Sequence, residues 1–101
     1  MPTFAVFFKP GPKWKAGAPL GDQEGIREHP AFLARQMAAG TLVMGGPFMD
    51  GSGGLSVFEV ESRQALDGLL ATDLSVTGGL LIPEVHEWRA GFNRHATEDN
   101  Q

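Results

Sequence analysis

Short apolar segments separated by proline- and glycine-rich breaks predict the elements in the first half of the chain. Thr3–Lys9 is aromatic and β-branched and stops at Pro10-Gly11-Pro12, which is typical of a strand followed by a turn. The segment Pro10–Asp22 is rich in proline and glycine, so it predicts a long loop. A loop of that length suggests the rim or the lid of a site.

Gln23–Ala39 has the periodicity of a helix. Ile26 and Leu33 lie two turns apart on its apolar face, and Gly40 follows as a C-terminal stop. Pro30 disturbs this pattern because an interior proline removes one helical hydrogen bond. We therefore expect the helix either to kink at Pro30 or to begin again there.

The second half of the chain predicts two strands joined by a turn, then a second helix and a last strand. Pro83 in the last strand suggests an edge position or a bulge, because proline cannot donate a ladder hydrogen bond. The predicted elements are a strand Thr41–Met44 closed by Gly45-Gly46-Pro47, a turn Asp50–Gly54, a strand Leu55–Val60, a helix Arg63–Ala71 capped by Ser62, and a strand Gly79–Trp88.

The order strand, helix, strand, strand, helix, strand predicts a ferredoxin-like α+β sandwich. Right-handed crossovers place both helices on one face of a four-stranded antiparallel sheet. A chain of 101 residues forms a single domain of this kind. We assign residues 1–92 to that domain and residues 93–101 to a polar, mobile tail.

The strands are apolar on both faces, whereas two helices can cover only one face of the sheet. Phe4-Ala5-Val6-Phe7-Phe8, Leu42-Val43-Met44 and Leu80-Leu81-Ile82 all lack the alternation of a half-covered sheet. The simplest cover for the second face is a second copy of the chain, so we expect a homodimer that pairs sheet to sheet. The alternative is that short strands merely carry an excess of β-branched residues.

Composition excludes several classes of protein. The absence of cysteine removes disulfide frameworks, thiol catalysis and cysteine-rich metal sites. Eight basic and twelve acidic residues give a net charge of −4, which argues against a nucleic-acid partner. The apolar runs are too short to span a membrane, and the start of the chain shows no leader pattern. A cytoplasmic protein is expected.

His29 is the candidate for proton transfer, because its spacing from Ile26 and Leu33 directs it towards the sheet. An imidazole with an unperturbed pKa of about 6.5 can accept and return protons at neutral pH. A buried structural histidine bonded to a backbone carbonyl would show the same spacing. His86, in the last strand, and His95, in the tail, are weaker candidates.

A catalytic histidine needs a carboxylate that orients it, and Asp50 and Asp73 are the candidates. Asp50 also suits an ordinary Asp-Gly turn. Asp73 follows the second helix, where the helix dipole disfavours an acid. No pair of these residues has helical metal-ligand spacing, so we expect no metal site. Lys13-Trp14-Lys15 is more typical of a solvated rim than of a ligand clamp.

Several segments in order resemble the YciI-like (YCII-related) family, over roughly Thr3 to Arg89. The resemblance lies in the order of these segments along the chain, and no single motif is diagnostic. The matching residues are Arg27-Glu28-His29-Pro30-Ala31-Phe32-Leu33, Gly40-Thr41-Leu42, Gly46-Pro47-Phe48, Asp50, Phe58-Glu59-Val60-Glu61-Ser62 and Asp73.

The resemblance implies a ferredoxin-like subunit that pairs as a dimeric α/β barrel. It also implies a His–Asp pair in a cleft, here His29 and Asp73, with Gly46, Pro47 and Asp50 nearby. The family is similar in fold to muconolactone isomerases, and one relative is a dehydrochlorinase of a chlorinated hydroxyquinol. Leu74 stands where the family usually has proline after the acid, and the loop over residues 10–22 is longer than usual.

Two functions remain open. The first is a cofactor-free enzyme that uses His29 and Asp73 for an isomerisation or elimination on a small anionic or phenolic ring. The second is a dimeric module that binds a small molecule without converting it. A cofactor-free oxygenase of the dimeric-barrel type is a third, weaker hypothesis.

Overall fold

The computed structural model describes residues 1–95, so most of the predicted polar tail, residues 96–101, lies outside the described part. None of the described helices is both long and apolar enough to cross a bilayer. A short 3₁₀ turn also occurs at Leu20–Asp22. The regular elements are β1 (Thr3–Pro10), α1 (Glu28–Ala39), β2 (Leu42–Pro47), β3 (Gly54–Glu59), α2 (Arg63–Leu70), α3 (Leu74–Thr77) and β4 (Leu81–Glu87).

The four strands form one antiparallel sheet in the order β2-β3-β1-β4, which confirms the predicted ferredoxin-like α+β fold. β1 lies inside the sheet, and its Phe4 is opposite Phe58 of β3 and Glu87 of β4. β4 is an edge strand, so Pro83 can lie within it, as the sequence suggested. The bounds of β1, β3, α2 and β4 agree with the prediction to within two residues.

The core lies between the sheet and the helices. Alternate residues of β1, namely Phe4, Val6 and Phe8, point into it and are almost completely buried. Phe32 of α1 and Phe58 of β3 are fully buried in the same cluster. Burial of each such side chain contributes roughly 1.5–3 kcal/mol, so this layer is the main source of stability.

α1 begins at Glu28 and not at Gln23, which corrects the predicted start of the helix. The preceding residues form turns, in which the amide of Ile26 donates to the Gln23 carbonyl at 3.2 Å. Gly25 has a φ of +85°, which interrupts a right-handed helix. Pro30 is therefore the third residue of α1, where no intrahelical amide bond is lost, and neither a kink nor a second start is needed.

β2 runs from Leu42 to Pro47, so it includes the glycines and the proline that were predicted to close it. Gly45 lies close to β3, since a Cβ atom there would lie 2.7 Å from Ser56 Oγ. The pairing with β3 shifts register between Leu42 and Met44. β2 is an edge strand, and Pro47 is tolerated at its end.

The long loop before α1 is held in place by a buried glutamine. The Gln23 side chain is 3% exposed; its Oε1 accepts from the Lys15 amide at 2.8 Å and its Nε2 donates to the Ala18 carbonyl at 2.8 Å. The Leu20 amide donates to the carbonyl of Gly51, in the turn between β2 and β3, at 2.9 Å. The loop is therefore attached to that turn.

The second face of the sheet is not covered by any helix of the described chain. Phe7 is only partly buried on it, and Met44 is 62% exposed. A polar cluster lies on this face between β1 and β4: Lys9 Nζ of β1 contacts Glu84 Oε1 at 2.9 Å, and His86 Nε2 contacts Glu84 Oε2 at 2.8 Å.

The Glu84 carboxyl makes the stability of the fold depend on pH in acid. Hydrogen bonds from His86 and Lys9, and the charge of Lys9, lower its pKa from 4.5 to about 2. A lowered carboxyl pKa stabilises the folded state above pH 4.5, and this contribution is lost as the pH falls towards 2. An NMR titration of Glu84 should give a midpoint of about 2.

His86→Ala or high salt should raise this midpoint towards the ordinary value, because both weaken the exposed contacts. His95→Ala is the control and should leave it unchanged. An ordinary midpoint for Glu84 in the wild-type protein would contradict the prediction.

Candidate functional site

His29 is the second residue of α1, and its ring lies between two core phenylalanines. The residue is 8% exposed. Its ring is 4.3 Å from that of Phe8 in an edge arrangement and 6.4 Å from that of Phe32 in a stacked one. The predicted direction of this side chain, towards the sheet, is confirmed.

Asp73 is the N-cap of α3, a short helix that the sequence did not predict. α2 ends at Leu70, so Asp73 does not occupy the unfavourable end of a continuing helix dipole but the start of a new one. Its Oδ1 accepts from the Ser75 amide at 3.0 Å and from the Ser75 hydroxyl at 2.7 Å. The side chain is fully buried.

The two residues form a direct pair, with 2.7 Å between His29 Nδ1 and Asp73 Oδ2. The open alternative between Asp50 and Asp73 is thus decided in favour of Asp73. An ionised carboxylate can only accept hydrogen bonds, so Nδ1 carries the proton in the neutral ring. Nε2 then carries a lone pair, and it has no hydrogen-bond partner within residues 1–95.

A cavity of about 450 Å³ lies beside the His29 ring. This is the size of a site for a small molecule. The cavity lies between the start of α1, the end of β2 and the loop before α1, and Arg27 and His29 are the charged or titratable residues among its lining. The apolar walls include Phe8, Ile26, Leu33, Pro47, Phe48 and Leu81.

The predicted binding residues do not all lie at this cavity. Gly46 and Pro47 line it, whereas Asp50 does not. The Asp50 Oδ1 accepts from the Ser52 hydroxyl at 2.6 Å and from the Ser52 amide at 3.0 Å. These two bonds hold the pKa of the Asp50 carboxyl below its usual value. Asp50 is therefore part of an exposed turn, and the structure does not bring it to His29.

The weaker candidates lie elsewhere. His86 is exposed on the uncovered face of the sheet, where it contacts Glu84. Trp14 packs against the core, and none of Lys13, Trp14 and Lys15 lines the cavity. Within residues 1–95, no group of three His, Asp or Glu side chains could hold a metal ion.

Sequence reasoning missed three contributors to the site. Ser75 donates two hydrogen bonds to Asp73, Arg27 lines the cavity, and Leu20 brings the long loop to its edge. Asp73 followed by Ser75 and then by Gly78-Gly79 is a signal for a capped short helix, and it could have identified α3. No local signal indicates that Arg27 reaches the cavity.

Comparison with known proteins supports the fold. No protein-family model and no curated protein matches the chain. Among solved structures, the chain is similar to 5-chloro-2-hydroxyhydroquinone dehydrochlorinase (TftG) from Burkholderia phenoliruptrix AC1100, in complex with 2,5-dihydroxybenzoquinone. The TM-score is 0.68 with 21% sequence identity, over 88% of this chain and 95% of that chain. At this identity the similarity establishes a common fold.

Asp73 and Asp50 give a matched test of the buried pair, since each accepts two hydrogen bonds from a serine two residues later. Asp73→Ala should lower the free energy of unfolding by about 3–5 kcal/mol, because it leaves the buried donors of His29 and Ser75 without a partner. Asp50→Ala should change stability little, because its donors reach water. Urea unfolding of both variants measures the difference, and equal losses would contradict the assignment.

Proposed function

We propose that this chain is a YciI-like protein that catalyses proton transfer on a small anionic or phenolic ring compound without a cofactor. His29 is the general acid and base, and Asp73 positions its ring. The observation that carries the proposal is the buried His29–Asp73 contact of 2.7 Å beside an apolar cavity of about 450 Å³.

The chemistry follows from the tautomer. With Nδ1 donating to Asp73, Nε2 of His29 can accept a proton from a substrate carbon or oxygen, and the electron pair left behind moves into the conjugated ring. In an isomerisation, the same proton returns to another carbon. In an elimination, a leaving group departs with the electron pair of its own bond. The Asp73 carboxylate stabilises the imidazolium formed between these steps.

A planar ring suits the cavity, whose walls include the aromatic side chains of Phe8 and Phe48. The structurally similar protein TftG is by its name a dehydrochlorinase of a hydroxyhydroquinone, and it was solved with a quinone bound. The proposed binding surface includes Gly46 and Pro47 and leaves out Asp50, whose side chain bonds to Ser52 instead.

The proposal is tested with two ring compounds, 5-chloro-2-hydroxyhydroquinone and 2,5-dihydroxybenzoquinone. We expect the wild-type protein to release chloride from the first or to exchange a ring hydrogen of the second with deuterium oxide. His29→Ala should lower the rate by about 10²–10⁴-fold, the usual contribution of a positioned acid or base. Ion chromatography and proton NMR measure the two reactions.

His86→Ala is the matched control, because this histidine also bonds to a carboxylate but lies away from the cavity. It should retain full activity. Equal activity of wild type and His29→Ala would disprove the role of His29. Saturable binding to the wild-type protein with no conversion of either compound would favour the non-catalytic binding module.

We also propose that two copies of the chain pair through the uncovered sheet face. Phe7 and Leu55 are only partly buried there, Met44 is 62% exposed, and no described helix covers this surface. Exposed apolar patches of this kind are typical of interfaces. The pairing would bury alternate residues of β1 and β3 on the face opposite the core.

Two exposed methionines provide a test of this pairing. The wild-type protein should have a mass in solution of twice 10.8 kDa. Met44→Glu should produce monomers, because Met44 lies on β2 at the uncovered face, opposite Val57. Met37→Glu is the control, since Met37 is 51% exposed on α1, and it should remain dimeric. Light scattering after size exclusion measures the mass, and a monomeric wild-type protein would refute the proposal.

A further inference from the structure

Arg27 has the one permanently charged side chain among the residues that line the cavity. The proposed proton transfer by His29 does not use this side chain. We propose that Arg27 binds an anionic oxygen of the substrate, a carboxylate or an ionised ring hydroxyl, and thereby selects anionic rings over neutral ones. This inference rests on the proposed function and adds to it the residue that recognises the charge.

The placement of Arg27 lets it contact the same ligand as His29 but at a different atom. Arg27 directly precedes α1 with helical backbone angles (φ −61°, ψ −23°), and His29 follows two residues later. Residues two apart on a helical turn lie on different sides of it, so they do not meet each other. Because both nevertheless line the cavity, a ligand between them is contacted at two separate points.

The guanidinium of Arg27 is available to a ligand. Within residues 1–95 it forms no ion pair, whereas Arg63 pairs with Asp67 at 2.9 Å. The acids that flank it in sequence, Glu24 and Glu28, do not line the cavity. An arginine in this position can bind a carboxylate or phenolate through two parallel N–H groups.

The backbone at the start of α1 does not offer an alternative anion site. The Glu28 amide donates to the Gly25 carbonyl at 3.3 Å, and the His29 amide donates to the Ile26 carbonyl at 3.0 Å. Pro30 has no amide hydrogen. These bonds occupy the amides that usually hold an anion at a helix N-terminus, so recognition of the charge falls to the Arg27 side chain.

The charge of the whole protein does not explain an attraction for anions. The net charge is −4, which repels them at long range. Lys13 and Lys15, the other cations near the loop, do not line the cavity. Binding of an anion must therefore depend on a local contact, and since Arg27 is exposed, added salt should weaken that contact.

The test compares a charged and an uncharged ring of similar shape. The probes are 2,5-dihydroxybenzoquinone, which is an anion at neutral pH, and its uncharged analogue 2,5-dimethoxybenzoquinone. Binding is measured by equilibrium dialysis at low and high salt. The proteins are the wild type, Arg27→Gln, Arg27→Lys and the control Arg63→Gln, an exposed arginine outside the cavity.

We expect the wild-type protein to bind the anion more tightly than the uncharged analogue. Arg27→Gln should weaken binding of the anion by roughly tenfold at low salt and remove its salt dependence. It should leave binding of the uncharged analogue unchanged. Arg27→Lys should retain part of the preference, and Arg63→Gln should resemble the wild type.

An unchanged affinity of Arg27→Gln for the anion would overturn the proposal, and so would a wild-type protein that binds neither quinone or does not distinguish them. The outcome does not depend on turnover, because binding is measured directly. A protein that selects the anion through Arg27 but neither releases chloride from 5-chloro-2-hydroxyhydroquinone nor exchanges the ring hydrogens of 2,5-dihydroxybenzoquinone would support this inference and favour the non-catalytic binding module.

Discussion

The fully buried carboxylate of Asp73 is the constraint on which the rest of the site depends. A buried carboxylate without partners destabilises the fold by several kcal/mol, so its three donors must be in place whenever the protein is folded. Two of these donors come from Ser75 in α3 and the third from His29 in α1. The pair therefore connects two helices, sets the tautomer of His29 and leaves Nε2 as the free ring nitrogen.

Asp50 and Asp73 show that burial, and not local sequence, separates an ordinary turn residue from a residue of the candidate site. Both precede a serine by two positions, and both accept from its amide and hydroxyl with nearly the same distances. The Asp50 motif lies in an exposed turn, where water can replace each bond. The Asp73 motif lies beneath α1, where a histidine provides the remaining bond, and only there does the carboxylate acquire a chemical partner.

The end of β2 connects the cavity to the uncovered face of the sheet. Gly46, Pro47 and Phe48 line the cavity and also line a shallow apolar depression on the other face, together with Met44 and Val57. Two neighbouring residues at the end of β2 are glycines and have no side chains. A molecule that contacts one face of the strand there therefore lies close to the opposite face. Pairing of two copies at this face would therefore support one wall of the cavity.

The sequence by itself determined the order of the four strands and the two longer helices, the fold class and the direction of His29, because hydrophobic periodicity and helix spacing are local properties. It did not determine where α1 begins, since Gly25 and the turns before it outweigh the periodicity of Ile26 and Leu33. Only the tertiary structure decided that Asp73 and not Asp50 meets His29, across 44 positions of sequence. Burial and long-range packing made that choice, and neither can be read from the residues next to each acid.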